Sequence, residues 1–256
     1  RTKLIANFGV GYNHIDLISA DKAGVQVTNT PGVLTDATAE IAMTLLLMSA
    51  RRAGEGERHL RAGDWSGWRP THMLSTQVTG KTLGVVGMGR IGTRLARQAY
   101  HGFGMRILYH NRSRVAESLE VELDAEFCDL GELLKRSDFV SLHCPANLET
   151  RHMLNHKTLD AMKPTAHLIN TARGDVVDEA ALAEALSSGN IAGAGLDVYE
   201  DEPQVNSSLR GLERAVLLPH MGSGTVETRE AMGFCVVKNI EAFVNKKPLT
   251  DLVISR

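Results

Sequence analysis

The stretch Leu83-Gly84-Val85-Val86-Gly87-Met88-Gly89-Arg90-Ile91-Gly92 limits the folds open to this chain more than any other. Its apolar, β-branched start reads as a buried strand. The strand runs straight into G-x-G-x-x-G and then into a helical pattern, Thr93-Arg94-Leu95-Ala96-Arg97-Gln98-Ala99. Strand, glycine turn and helix in that order are the context in which such a turn cradles a dinucleotide. Gly87 permits the tight turn, Gly89 admits a pyrophosphate close to the backbone, and Gly92 lets the helix lie close to the strand. Arg90 and Ile91 then present their backbone N–H groups, at the positive end of the helix dipole, to the phosphates.

Composition excludes several classes. The 256 residues are 43% hydrophobic and 23% charged, enough for one large or two smaller globular domains. A net charge of −2 gives no basic field for nucleic acid and no charge run for an anionic membrane. The longest apolar stretch, Ile41 to Met48, is too short to span a bilayer and is interrupted by Thr44. Cys128, Cys144 and Cys235 are scattered, which implies a reducing, cytoplasmic setting with neither a disulfide framework nor a zinc site. No signal peptide is visible, and the opening on a strand-like segment is expected of part of a longer protein.

In chain order, strands are expected over Arg1 to Phe8, Val25 to Val27, Leu83 to Val86, Met105 to Tyr109, Asp138 to Leu142, Ala166 to Asn170, Ile191 to Leu196 and Ala215 to Pro219. Between them lie helices: Ile15 to Lys22, a buried one capped by Thr35 or Asp36 and running to Ser49, Arg51 to Leu60, one ending near Gly102 or Gly104, Glu117 to Leu123, Leu130 to Arg136, one closing over Leu159 to Met162, Glu179 to Leu186, and Thr225 to Val244. This alternation implies an α/β fold, a doubly wound parallel sheet of Rossmann type. Three strands end in polar clusters: Asn170-Thr171-Ala172-Arg173-Gly174, Gly195-Leu196-Asp197 and Pro219-His220-Met221-Gly222. In such a sheet ligands bind at the carboxyl ends of strands, so these clusters belong on the same edge as the glycine turn.

At these residues the chain resembles the D-isomer-specific 2-hydroxyacid dehydrogenases, and within them most closely the glyoxylate/hydroxypyruvate reductases. The likeness runs through Gly9-Val10-Gly11-Tyr12-Asn13-His14-Ile15-Asp16, Asn29-Thr30-Pro31-Gly32, the glycine turn, Asn170 to Gly174, Gly195 to Val198, Glu202-Pro203 and Leu218-Pro219-His220. It implies a catalytic Arg-Glu-His set at Arg173, Glu202 and His220. It also implies a flavodoxin-like substrate domain, of which residues 1–32 and 223–256 are an incomplete part, with linker helices and the dinucleotide-binding domain over 33–222. The segment by itself, without the implied upstream part, is expected to be unstable. A homodimer is expected too, with Trp65 or Trp68 of the irregular arm Arg61 to Pro70 reaching the neighbouring subunit, and Met73 and Leu74 lining the pocket.

Hydride transfer between a nicotinamide and a 2-keto or 2-hydroxy acid sets three demands on the protein. The substrate carboxylate wants a bidentate cation, which Arg173 supplies beside the keto oxygen. The carbonyl oxygen wants a proton, which His220 gives in reduction and takes in oxidation. The histidine wants a carboxylate on its far nitrogen to stabilise the imidazolium and fix the tautomer. Sequence alone does not separate Glu200, Asp201 and Glu202 for that role, and the resemblance singles out Glu202. The same resemblance has the backbone at Val10 and Gly11 hold the substrate carboxylate, Cys144, Pro145 and Thr171 line the nicotinamide-ribose path, Asp197 accept from the carboxamide, and Gly222 close the cofactor set.

NAD enzymes place an acid about 20 residues past the glycines for the ribose 2′-hydroxyl. Here that position reads His110-Asn111-Arg112-Ser113-Arg114, with no carboxylate. Asn111, Arg112, Ser113 and Arg114 suit a 2′-phosphate, so NADP(H) is the preferred cofactor expected, with NAD(H) usable. Other substrates stay open: a larger 2-keto acid, or 3-phosphoglycerate, against which the lack of cations near Asn7 to Asn13 argues. Formate is opposed by Glu202, where a Gln usually pairs with the histidine. A cofactor-sensing, corepressor-like binding protein is the alternative from another class.

Overall fold

The computed structural model describes residues 2–254. The chain divides into two compact units, one of Arg1–Thr38 with Gly222–Arg256 and one of Ala39–Met221. The smaller begins with β1 (Leu4–Ala6), α1 (Leu17–Lys22) and β2 (Gln26–Thr28). Helix α2 (Thr35–Arg51) starts there and runs on into the larger unit. The larger continues with α3 (Ala53–Arg61), β3 (Thr82–Val86), α4 (Arg90–Phe103), β4 (Arg106–His110), α5 (Glu117–Leu123), β5 (Glu126–Phe127), α6 (Leu130–Arg136), β6 (Phe139–Leu142), α7 (His156–Leu159), β7 (His167–Asn170), α8 (Glu179–Ser188), β8 (Gly193–Leu196), α9 (Ser207–Arg210) and β9 (Ala215–Leu217). Helix α10 (Val226–Val244) returns the chain to the smaller unit.

The larger unit is built on a seven-stranded sheet of order β5-β4-β3-β6-β7-β8-β9, parallel throughout. Strands β3, β6, β7 and β8 are buried along their whole length, as a sheet covered on both faces requires. Side chains alternate between two cores. Val86, Val140, Leu142 and Leu168 face one core with Leu133, Leu134, Leu159, Leu182 and Leu186 from the helices. Leu83, Val85, Phe139 and Ile169 face the other with Leu45, Leu46, Leu95 and Ala96. Each such leucine or valine contributes about 1.5–3 kcal/mol by leaving water. The strand order reverses at β3, and the register aligns Val86, Leu142, Asn170, Leu196 and Leu217 in one row. The polar clusters that follow these strands therefore share one edge with the glycine turn, at the position where open α/β sheets take ligands.

In the smaller unit β1 and β2 form a parallel pair, with Ala6 opposite Thr28. Arg1, where the first strand was expected to start, lies outside the described residues, and pairing is confined to Leu4–Ala6. Thr35 is already the first helical residue of α2, so neither Thr35 nor Asp36 is its cap. The helix expected to close over Leu159 to Met162 is instead a single turn ending at Leu159. A capping box starts it, in which the Asn155 side chain accepts from the Thr158 N–H and the Thr158 hydroxyl reaches back to the Asn155 N–H. The edge strand β5 and helix α9 were not anticipated. At two and four residues they are too short to show a period. No described helix is long and apolar enough to cross a membrane. The three cysteines are free, and no His/Cys/Asp/Glu group suited to a metal occurs among the described residues.

Candidate active site

The turn after β3 is shaped by its glycines. Gly87 has φ +94°, and a Cβ there would sit 2.6 Å from the Cys144 nitrogen. A Cβ on Gly92 would come within 2.4 Å of the Gly87 carbonyl, so α4 is seated against the turn. Gly89, the residue before α4, would meet nothing within 4 Å, and its outer face is open. The turn is held by the Met88 N–H, which donates to Asn111 Oδ1 at 2.7 Å. No acidic residue occupies the first turn of α4, so no carboxylate there competes with an anion for its N–H groups.

Arg173 leaves β7 on a turn that Asn170 closes. The Asn170 amide donates to the Arg173 carbonyl at 2.9 Å and accepts from the Ala172 N–H at 3.0 Å. Gly174 then lies so close to Tyr199 that a Cβ would fall 1.9 Å from the Tyr199 carbonyl carbon. This approach brings the arginine turn against the loop that carries Glu202. Burial lowers the Arg173 pKa from the usual guanidinium range, and the Glu202 carboxylate opposes that shift. A guanidinium stays charged under any such change.

Of the three neighbouring acids, Glu202 is the one that reaches His220. One of its oxygens accepts from the Tyr199 N–H at 3.0 Å, and the other is 2.7 Å from His220 Nδ1. Glu200 turns elsewhere, pairing with His152 and accepting from the Glu179 N–H at 3.3 Å. His220 has φ +50°, a left-handed conformation that costs a non-glycine residue about 1–3 kcal/mol. It is held there from both sides. The Tyr199 hydroxyl donates to the Leu218 carbonyl at 2.8 Å, and the buried Asp197 carboxylate accepts from the Met221 N–H at 2.8 Å. With Nδ1 on the carboxylate, Nε2 is the nitrogen left for another molecule, on a side chain that is 51% exposed.

Beside the turn, the Thr171 hydroxyl is buried without a hydrogen-bond partner among the described residues. A ligand group would satisfy it. Burial pushes the Cys144 thiol up to about 11 and the His143 imidazole down to about 4, so both are neutral walls at neutral pH. Pro145 is exposed next to them. Past β4, Arg112 and Ser113 are exposed. Arg114 is engaged: its Nε is 3.2 Å from Glu120, and its guanidinium stands over the Phe127 ring. The open Gly89 face, the acid-free helix start and the unsatisfied Thr171 hydroxyl fit a dinucleotide.

Val10 and Gly11 follow β1 in the smaller unit. Gly222 belongs to that unit as well. The Asn7 amide donates to the Gly9 and Gly11 carbonyls at 3.0 and 2.9 Å, and the Asn29 amide to the Val10 carbonyl at 2.9 Å. Sequence reasoning did not single out Asn7; it named Asn29 and Asn170 only within longer motifs, and Asn111 as a 2′-phosphate contact, without the bond its side chain accepts from the Met88 N–H. What each does depends on which strand end lies next to it.

Residues 43–222 match the family described as D-isomer specific 2-hydroxyacid dehydrogenase, NAD binding domain. The chain is 52% identical over 257 aligned positions to the glyoxylate reductase of Thermococcus litoralis, covering 99% of this chain and 77% of that protein. Among solved structures it is similar to the NADPH-dependent glyoxylate/hydroxypyruvate reductase of Sinorhizobium meliloti in complex with NADP and malonate. There the TM-score is 0.90 at 39% identity, over 98% of this chain and 77% of that one. It is also similar to the D-mandelate dehydrogenase of Rhodotorula graminis, with a TM-score of 0.92 at 36% identity, over 98% of this chain and 74% of that one. With a family match over more than half its length and a relative at this identity, the chain belongs to the D-isomer specific 2-hydroxyacid dehydrogenases, a family of NAD(P)-dependent oxidoreductases.

Proposed function

We propose that the protein reduces a small 2-keto acid, glyoxylate or hydroxypyruvate, to the corresponding 2-hydroxy acid (D in configuration where a stereocentre forms), with NADPH preferred over NADH. The observation that carries this reading is the 2.7 Å bond between His220 Nδ1 and Glu202, on the same sheet edge as Arg173. The names of the relatives support the substrate class.

When bound, the reduced nicotinamide supplies the hydride. Arg173 binds the substrate carboxylate through its guanidinium fork and polarises the keto oxygen. Its burial strengthens both interactions, because little water competes for the charge. His220, protonated, donates from Nε2 to the oxygen that becomes the hydroxyl. Glu202 stabilises the imidazolium before the transfer and keeps the remaining proton on Nδ1 after it. In oxidation the same nitrogen takes the proton back. The backbone N–H groups of Val10 and Gly11 add contacts to the carboxylate. The smaller unit is accordingly read as part of a substrate domain.

The preference for NADPH rests on Arg112 and Ser113. Both are exposed at the end of β4, and no carboxylate lies in the segment from His110 to Arg114. Arg114, expected to share the 2′-phosphate, contributes less because Glu120 and Phe127 already hold it. A homodimer is proposed on the arm that exposes Trp65 and Trp68, which are 52% and 80% accessible. The similarity to a D-mandelate dehydrogenase favours a second reading, a bulkier 2-keto acid. A panel of 2-keto acids, small and aromatic, assayed on the full-length protein with both reduced cofactors tests these assignments together. Fastest turnover of glyoxylate or hydroxypyruvate with NADPH supports them. An aromatic acid turned over fastest contradicts the substrate, and higher kcat/KM with NADH contradicts the cofactor.

A further inference from the structure

Asn7 and Asn29 sit immediately past the carboxyl ends of β1 and β2, two parallel strands in register at Ala6 and Thr28. The backbone carries the register one residue further, since the Asn7 N–H donates to the Thr28 carbonyl at 2.9 Å. Neither side chain is spent on a helix cap or an ion pair. Both amides turn onto the loop between them. Asn7 Nδ2 holds the carbonyls of Gly9 and Gly11, and Asn29 Nδ2 holds the carbonyl of Val10. The Thr30 N–H adds a second bond to the Gly9 carbonyl at 3.1 Å. Three successive carbonyls are thereby fixed.

A trans peptide has its C=O and the next N–H antiparallel. The cis bond recorded among the described residues is Glu202–Pro203, so the peptides from Gly9 to Tyr12 are trans. Fixing the carbonyls of Gly9, Val10 and Gly11 therefore also fixes the N–H groups of Val10, Gly11 and Tyr12. Each points away from the amide that holds its carbonyl. A free loop of this kind, with glycine at positions 9 and 11, would rotate its peptide planes and lose the donor arrangement. Donors set in place before an anion arrives bind it without a reordering cost.

We infer that Asn7 and Asn29 are positioning residues that set the peptide planes of Gly9 to Tyr12 so that the Val10 and Gly11 N–H groups meet a carboxylate. The inference rests on the reading of those two N–H groups as substrate contacts. The side chains touch neither substrate nor cofactor. They act on substrate affinity and leave the reacting groups alone, since Arg173, Glu202 and His220 belong to the other unit.

The test measures KM and kcat for glyoxylate, the competitive inhibition constant of oxamate, and Kd for NADPH by nicotinamide fluorescence, on the full-length protein. Asn29→Ala and Asn7→Ala are each expected to raise KM and the oxamate constant about tenfold, the equivalent of one lost orienting bond. The values of kcat and of Kd for NADPH stay within about twofold. A merely structural role gives the opposite split, because a smaller folded fraction lowers kcat and leaves KM and the oxamate constant unchanged. That outcome overturns the inference. If an alanine variant is not recovered folded, Asn29→Gln and Asn7→Gln, which displace the amide by one methylene, replace it with the same expected split. Wild-type protein that oxamate does not inhibit overturns the carboxylate reading itself. Normal inhibition of the wild type with unchanged constants in the variants overturns the role of the asparagines alone.

Discussion

His220 Nδ1 lies 2.7 Å from the Glu202 carboxylate, and that bond decides which imidazole nitrogen is available to a substrate. Glu202→Gln keeps the size of the side chain and removes the charge that stabilises the imidazolium. We expect kcat for 2-keto acid reduction to fall by about 10²-fold, with Kd for the cofactor unchanged. Stopped-flow and equilibrium fluorescence measurements separate the two. A variant with wild-type kcat would show that the pair is only structural.

Arg173→Lys preserves the charge and loses the planar fork. Asn170 and Gly174 hold the turn, and the one backbone bond the guanidinium adds, from Nη1 to the Ala172 carbonyl at 2.6 Å, is the local contact the change gives up. The expected result is a 10- to 100-fold loss in kcat/KM, in line with about 1.5–3 kcal/mol for hydrogen bonds to a charged group. A loss smaller than threefold would remove Arg173 from the carboxylate contact.

Arg112→Ala is expected to lower kcat/KM with NADPH about tenfold and to leave the value with NADH within twofold. Arg114→Ala should matter less, because its guanidinium is held by Glu120 and Phe127. Equal losses with both cofactors at Arg112 would assign it to the shared part of the dinucleotide.

Stability should fall in mild acid. His167 is buried, 2.8 Å from Ser49 Oγ and stacked on Phe139, and burial pushes its pKa down to about 4. The unfolded chain protonates the same residue near about 6.5. Between those values the unfolded state binds more protons, so stability is lost as pH drops from about 6.5 to about 4. His143, also shifted down to about 4, adds to the same slope. Urea midpoints at pH 7 and pH 4.5 should differ clearly in the wild type and by less in His167→Asn, which itself is destabilised at pH 7. An equal acid loss in the two proteins would refute the assignment.

Much of the fold was legible in the sequence because a sheet buried on both faces writes itself as apolar runs, such as Leu83 to Val86 and Ile191 to Leu196. The glycine turn and the polar strand ends followed from that, since parallel strands put their carboxyl ends on one edge. The choice among Glu200, Asp201 and Glu202 was not legible from residue types. Three adjacent acids look alike until the loop's path turns one toward His220 and another toward His152. The roles of Asn7 and Asn29 stayed hidden for a related reason. Asn29 reaches the Val10 carbonyl only because β2 pairs with β1, and Asn7 reaches the Gly9 and Gly11 carbonyls only because the loop after β1 turns back on it. The engagement of Arg114 by Glu120 was equally invisible, and it shifts the proposed 2′-phosphate contact onto Arg112 and Ser113.

The most direct test of the central claim is the rate of NADPH oxidation on adding hydroxypyruvate, with the product's configuration assigned, in the wild type and in His220→Ala. The expected result is rapid turnover to the D-hydroxy acid in the wild type. In the variant, kcat should drop by about 10²- to 10⁴-fold with NADPH binding retained. Formation of the L product, or a variant that turns over at the wild-type rate, would contradict the account.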